Sequence, residues 1–259
     1  MLANDYFSLE GKKGLVIGIA NEHSIAYGCA RAFRSLGADL AVTYLNEKAK
    51  PFVEPAAQAV GAELFLPCDV MVPGELEAVF DAVRERWGRL DFAVHSIAFA
   101  PKEDLQGRLV DSSAEGFGLA TNVSAHSFLR MARLAEPLMT EGGSLFAMTF
   151  FGSQRVLPTY HLMGPIKAAL ESAVRYTAAE LGPKGIRAYA ISPGPMQTRA
   201  ASGLKGFDVL VEAAQTRAPL GQLAEIDDVG AVAAMLATRT GAMLTGQTIY
   251  VDGGFNIAG

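Results

Sequence analysis

Gly14-Leu15-Val16-Ile17-Gly18-Ile19-Ala20-Asn21-Glu22-His23-Ser24-Ile25-Ala26 is the stretch on which the fold turns. Residues 14–19 form a short apolar run, the pattern of a strand buried on both faces. Helical spacing begins at Ser24, continues to Leu36 and stops at Gly37. Residues 39–44 read as a second strand. The alternation then repeats. Helices are predicted at 48–60 and 75–87, a single long helix at 114–140 with Pro137 near its end, and another around Lys167 that Gly182-Pro183 stops. Strands are predicted at 63–67, 90–95, 144–148, 186–191 and 247–251. Strand and helix in regular succession imply an α/β, doubly wound, seven-stranded parallel sheet. No linker, repeat or low-complexity segment interrupts it, so residues 1–259 read as one domain.

Composition narrows the function. Half of the 259 residues are hydrophobic and 19% are charged, enough apolar material for a large core. The net charge of -5 argues against a nucleic-acid partner. Cys29 and Cys68 match no metal spacing and read as buried thiols of a reducing cytoplasm. His23, His95, His126 and His161 form no metal motif, so no metal is expected. Residues 1–13 lack the apolar core of a signal peptide, and no apolar run approaches the 18 or so residues a membrane span needs.

In a doubly wound sheet the loop from Gly18 to Ala26 is where a dinucleotide pyrophosphate meets a helix N-terminus. Ala20 stands where the second glycine of G-x-G-x-x-G would be, and Ser24 is placed to cap the helix and offer a hydroxyl. Glu47, near the tip of the second strand with no arginine beside it, favours a free ribose over a 2′-phosphate. Asp69 ends the third strand, where it can accept from an adenine amino group or cap a helix. His95, at a strand end, reads as a packed, hydrogen-bonded residue, and Asn122 as a helical residue that either bridges groups in the site or does not. The loop Ser192-Pro193-Gly194-Pro195-Met196-Gln197-Thr198 is shaped by two prolines, and Thr198 can meet the pyrophosphate. Apolar residues of 196–210 read as a lid over an apolar substrate. Tyr160 and Lys167 supply the reacting hydroxyl and the cation, with six residues between them. On an ideal helix they would share a face about 10.5 Å apart along the axis. Pro165 opposes a continuous helix, so the helix is expected to start near Gly164 with Tyr160 on its entry turn.

These residues resemble the short-chain dehydrogenase/reductase superfamily, and within it the bacterial NADH-dependent enoyl-acyl-carrier-protein reductases. The likeness rests on Gly18-Ile19-Ala20 with Ser24-Ile25-Ala26-Tyr27-Gly28, Cys68-Asp69-Val70, His95-Ser96-Ile97, the Tyr160–Lys167 spacing, Ile191-Ser192 with Gly194-Pro195, and Val251-Asp252-Gly253-Gly254-Phe255. Ordinary members of the superfamily separate tyrosine and lysine by three residues. The resemblance implies a Rossmann-like fold and NADH-dependent reduction of the trans-2 double bond of enoyl thioesters in fatty-acid biosynthesis. It implies Tyr160 as donor to the thioester carbonyl and Lys167 as ligand of the nicotinamide ribose. Gly18, Ser24, Ile25, Asp69, Val70, Ser96, Ile97, Met196 and Thr198 would complete the NADH site. Ala98, Ala100, Phe150, Met163 and Phe207 would meet substrate, with covering loop and helices near 192–217. An acyl carrier protein as partner, a homotetramer and a cytoplasmic location follow from the same likeness.

Three positions depart from the family pattern. Phe150 replaces a tyrosine ten residues before the catalytic one, Ala98 replaces a glycine, and Pro165 lies in the helix. Two other readings stand beside the first. One is a carbonyl reductase of the 3-ketoacyl type using Asn122, although Gly164 occupies the place of its lysine. The other is an NAD(H)-binding regulator with impaired chemistry, suggested by Phe150.

Overall fold

The computed structural model describes residues 6–157, 160–196, 198 and 206–258. Seven strands are β1 (Lys13–Ile17), β2 (Asp39–Tyr44), β3 (Leu64–Pro67), β4 (Phe92–His95), β5 (Gly143–Met148), β6 (Ile186–Pro193) and β7 (Thr248–Val251). They pair in parallel in the order β3-β2-β1-β4-β5-β6-β7. The chain builds outward from β1 to β3, then returns to the other side of β1 with β4. The crevice at the carboxyl ends of β1 and β4 is therefore the switch point, where such sheets bind ligands.

The longer helices are α1 (Ile25–Ser35), α2 (Lys50–Ala59), α3 (Glu75–Trp87), α5 (Ala114–Thr121), α6 (Ser127–Ala135), α7 (Met163–Leu181), α8 (Phe207–Arg217) and α9 (Ile226–Ala237), with a short α4 (Lys102–Gln106). Helices α3, α6 and α7 cover one sheet face through Phe80, Phe128 and Leu170. Helices α1, α2 and α9 cover the other through Phe33, Val53 and Val229. Both faces are thus sealed, which is why the strands read as unbroken apolar runs. Among the described residues no helix is long and apolar enough to cross a membrane.

Several sequence expectations need correction. The helix expected at 114–140 is broken by a wide π turn, Asn122–His126, and finishes in a 3-10 turn, Glu136–Leu138. In that π turn the Ser124 hydroxyl accepts from Phe99 N at 3.0 Å and donates to Phe99 O at 3.2 Å, tying the helix to the loop after β4. β1 stops at Ile17 because Gly18 takes φ +110°, outside the extended region. β6 runs to Pro193, two residues beyond the expected end. Helices α4 and α9 lie in segments whose sequence predicts no element. α9 crosses α1 at glycines: a Cβ on Gly28 would lie 2.1 Å from Ile226 O, and one on Gly230 2.3 Å from Gly28 O.

Candidate active site

Three consecutive residues at the end of β5 organise the site. Met148 O accepts a 2.8 Å hydrogen bond from Lys167 Nζ. Thr149 Oγ1 donates at 2.8 Å to Glu171 Oε1. The Phe150 ring lies 4.9 Å from the Tyr160 ring, tilted by 59°. The strand therefore fixes the lysine, a buried carboxylate and the tyrosine in one register.

Tyr160 precedes α7 and is not part of it. Its N–H donates to Leu157 O at 3.1 Å and its carbonyl accepts from Met163 N at 2.9 Å. His161 follows at φ +28°, a conformation that non-glycine residues rarely adopt. Helix α7 starts at Met163, one residue before the expected Gly164. Pro165 then falls in the first turn, where its missing N–H costs no helical bond. The ideal-helix separation of tyrosine and lysine does not apply, because an irregular turn intervenes.

Both groups line a cavity of about 200 Å³ at the switch point. Of the expected cofactor residues, Ile25, Ser96, Ile97, Met196 and Thr198 reach it with Lys167. All five expected substrate residues, Ala98, Ala100, Phe150, Met163 and Phe207, line it as well. Gly18, Ser24, Asp69 and Val70 lie outside this wall. Gly18 still shapes it, since an added Cβ would sit 2.1 Å from Ser96 O. Ser24 occupies the N-cap position of α1 but makes no side-chain cap bond. Its hydroxyl instead accepts from Ala20 N at 2.9 Å and Asn21 N at 3.0 Å, bracing the β1 loop. Asp69 Oδ1 accepts from Met71 N at 2.9 Å in a local turn, and buried Val70 gives its carbonyl to Arg130. Of the lid segment, residues 197 and 199–205 lie outside the described residues.

Phe99, Leu105, Thr149 and Pro193 also line the cavity without having been singled out as contacts. The larger omission is Glu171, which also accepts from Ser153 Oγ at 2.5 Å and Gln154 Nε2 at 3.4 Å. Its signal in the sequence is an acid four positions after Lys167 on an otherwise apolar helix face.

Burial and the Glu171 charge push the Tyr160 hydroxyl pKa upward, so it is held protonated as a donor. Burial lowers Lys167 to about 8, against the opposing pull of Glu171. His95 is buried, with Nε2 at 2.6 Å from Ser127 Oγ, and burial lowers it to about 3. It is a packed, neutral strand-end residue, as expected from the sequence. Asn122 is exposed, with Oδ1 3.3 Å from His126 Nδ1, and is not part of the cavity wall. Cys29 and Cys68 are buried free thiols, each pushed up to about 12. Among the described residues no cluster of His, Cys, Asp or Glu has metal-ligand geometry.

A dinucleotide suits these walls. α1 opens on the crevice through Ile25, Gly18 lets the β1 and β4 loops meet closely, and Lys167 lines the same cavity.

Comparison with known proteins places the geometry in a family. Residues 18–256 match the sequence profile described as "Enoyl-(Acyl carrier protein) reductase". An enoyl-[acyl-carrier-protein] reductase [NADH] of Rhizobium meliloti is 43% identical over 249 residues, 96% of this chain and 93% of the relative. The enoyl-(acyl-carrier-protein) reductase of Anaplasma phagocytophilum, solved with NAD, superposes with a TM-score of 0.93 at 43% identity, covering 97% of this chain and 96% of that one. The Bacillus cereus enoyl-acyl carrier protein reductase, solved with NADP+ and an indole naphthyridinone, gives 0.94 at 41% identity over 97% and 98%.

Proposed function

This chain belongs to the enoyl-(acyl carrier protein) reductase family, and we propose that Tyr160 and Lys167 carry out its NADH-dependent reduction of the trans-2 double bond of enoyl thioesters in fatty-acid biosynthesis. The observation that carries this reading is the meeting of a buried tyrosine and a buried lysine in one largely apolar cavity at the switch point. NADH, when bound, supplies hydride to C3 of the enoyl group. The electron pair of the double bond then moves toward C2 and the carbonyl, and negative charge collects on the carbonyl oxygen. The Tyr160 hydroxyl donates a hydrogen bond to that oxygen, and a preorganised donor in a dry site lowers such a barrier. Uptake of a proton from solvent at C2 collapses the enolate and completes the saturated thioester, with NAD+ as the oxidised product. Lys167 would hold the nicotinamide ribose hydroxyls from the wall it shares with Tyr160. Ala98, Ala100, Met163 and Phe207 exclude water from the acyl group.

Phe150 leaves Tyr160 as the single aromatic hydroxyl of the cavity wall among the described residues. The carbonyl-reductase reading loses its residue, because Asn122 is exposed and hydrogen-bonded to His126. The regulator reading is opposed by the intact pairing of Lys167 with Met148 O and of Tyr160 with Phe150. An acyl carrier protein bearing the enoyl group is the partner, the assembly is a homotetramer and the location is cytoplasmic in this reading. NADH oxidation measured with crotonyl and 3-ketoacyl thioesters side by side tests it. Turnover confined to the crotonyl thioester is expected; turnover of the 3-ketoacyl thioester alone, or of neither, overturns it. Acyl carrier protein and coenzyme A thioesters compared in the same assay identify the carrier, and sedimentation equilibrium reads the assembly.

A further inference from the structure

Lys167 and Glu171 are 5% and 3% exposed, four positions apart on α7. Side chains at that spacing share a helix face, with Cβ atoms about 5–6 Å apart. A buried ammonium is costly unless an opposite charge faces it. Lys167 makes its hydrogen bond to Met148 O, which offers a dipole but no charge. The other titratable groups near the pair are His95 from β4, Tyr160 from the entry turn, and Tyr250 from β7 with Asp252 behind it. His95 is neutral and both tyrosines are shifted upward, so none of the three gives a negative charge at neutral pH, and the Asp252 carboxylate acts on Tyr250 and not on Lys167.

Glu171 is also gripped. Thr149, Ser153 and Gln154 donate to its two oxygens from the end of β5 and the turn that follows. Held in this way, the carboxylate makes no direct ion pair with the ammonium and acts on it through charge at longer range. We infer that Glu171 is the positioning residue of Lys167, a fixed buried counter-charge that keeps the lysine cationic and correctly placed for the cofactor ribose. The inference rests on the cofactor role given to Lys167 above. The direction of the Lys167 titration agrees: burial lowers it and Glu171 opposes that fall.

The test titrates Lys167 directly in the cofactor-free protein, by NMR of carbon-labelled lysine, in wild type, Glu171→Gln and Glu171→Asp. Lys167→Met assigns the signal. The Lys167 midpoint is expected near 8 in wild type. It should move down by about 1–3 pH units in Glu171→Gln, the range an adjacent opposite charge produces, and recover in Glu171→Asp. NADH affinity, read by fluorescence from pH 6 to 9, should weaken with rising pH in step with each midpoint. Equal midpoints in folded wild type and Glu171→Gln overturn the inference. Should Glu171→Gln fail to fold, the neutral Glu171→Met takes its place in the same comparison: a lowered Lys167 midpoint supports the counter-charge, and a midpoint equal to wild type overturns it. NADH binding by Lys167→Met with wild-type affinity and pH dependence contradicts the cofactor role instead, and leaves the midpoint comparison to judge Glu171.

Discussion

The Tyr160 ring packs between Phe150 and Gly152: a Cβ built on Gly152 would come within 2.4 Å of Tyr160 Cδ1. Tyr160, the tyrosine to which the proposed function assigns the donor role, is positioned by shape, with no side-chain hydrogen bond of its own among the described residues. Gly152→Ala should therefore push the ring out of place. Overpacking of this kind costs about 1–3 kcal/mol. Turnover of crotonyl thioester should fall further than thermal stability accounts for, while NADH affinity is kept. Wild-type turnover in Gly152→Ala would show that the ring has room to spare.

Phe150→Tyr returns a hydroxyl to the wall without removing the aromatic contact, which is itself worth about 0.5–1.5 kcal/mol. Turnover should remain within a few fold of wild type, because the proposed mechanism draws its donor from Tyr160. Phe150→Ala should lower it clearly by loosening Tyr160. Equal kinetics in wild type and Phe150→Ala, measured by steady-state NADH oxidation, would sever the link between the two rings.

At the tip of β2, Glu47 accepts from the Tyr44 hydroxyl at 3.0 Å, with Lys50 Nζ 3.8 Å away. A 2′-phosphate placed there meets a carboxylate. NADH should give the higher kcat/KM, and Glu47→Gln should raise the NADPH value. A gain of about 1.4-fold to fivefold is expected, since exposed charge interactions are worth roughly 0.2–1 kcal/mol. Equal kcat/KM for both cofactors in wild type would contradict this.

His95 links pH to stability. Ser127 Oγ donates to Val123 O at 2.6 Å, so His95 Nε2 carries the proton that bonds Ser127, and Nδ1 is left without a partner. Burial first, and the Lys167 charge second, lower its pKa from 6.5 to about 3. The unfolded chain binds a proton below pH 6.5 that the folded chain refuses, so stability falls as pH drops through that window. The slope from this group approaches about 1.4 kcal/mol per pH unit. Glu77 and Asp91, whose folded pKa values are lowered, add their own losses only at more acid pH. Urea unfolding at pH 7, 6 and 5 should show a steeper decline in wild type than in His95→Gln, and parallel declines would refute the assignment.

The sheet is legible in the sequence because helices seal both of its faces, leaving short apolar runs between glycine stops. The break in the long helix is not, because it depends on Ser124 bonding Phe99, a residue from another element. The role of Ser24 misleads for a similar reason: Ala20 and Asn21 N–H groups compete for its hydroxyl. Tyr160 and Lys167 are visible as a pair of reactive types at a telling spacing. Glu171 is not, because what buries and holds it comes from Thr149, Ser153 and Gln154, distant in sequence and unremarkable as a pattern.

The most direct test of the account is single-turnover reduction of crotonyl thioester by preformed enzyme–NADH complex, comparing wild type with Tyr160→Phe, alongside the NADH dissociation constant of each. Loss of one oxyanion donor costs about 2.7–4 kcal/mol, or roughly 10²–10³ in rate. A fall of that order in the reduction step is expected, with NADH affinity unchanged. A Tyr160→Phe enzyme that reduces the thioester at the wild-type rate, or that loses NADH binding instead, would contradict it.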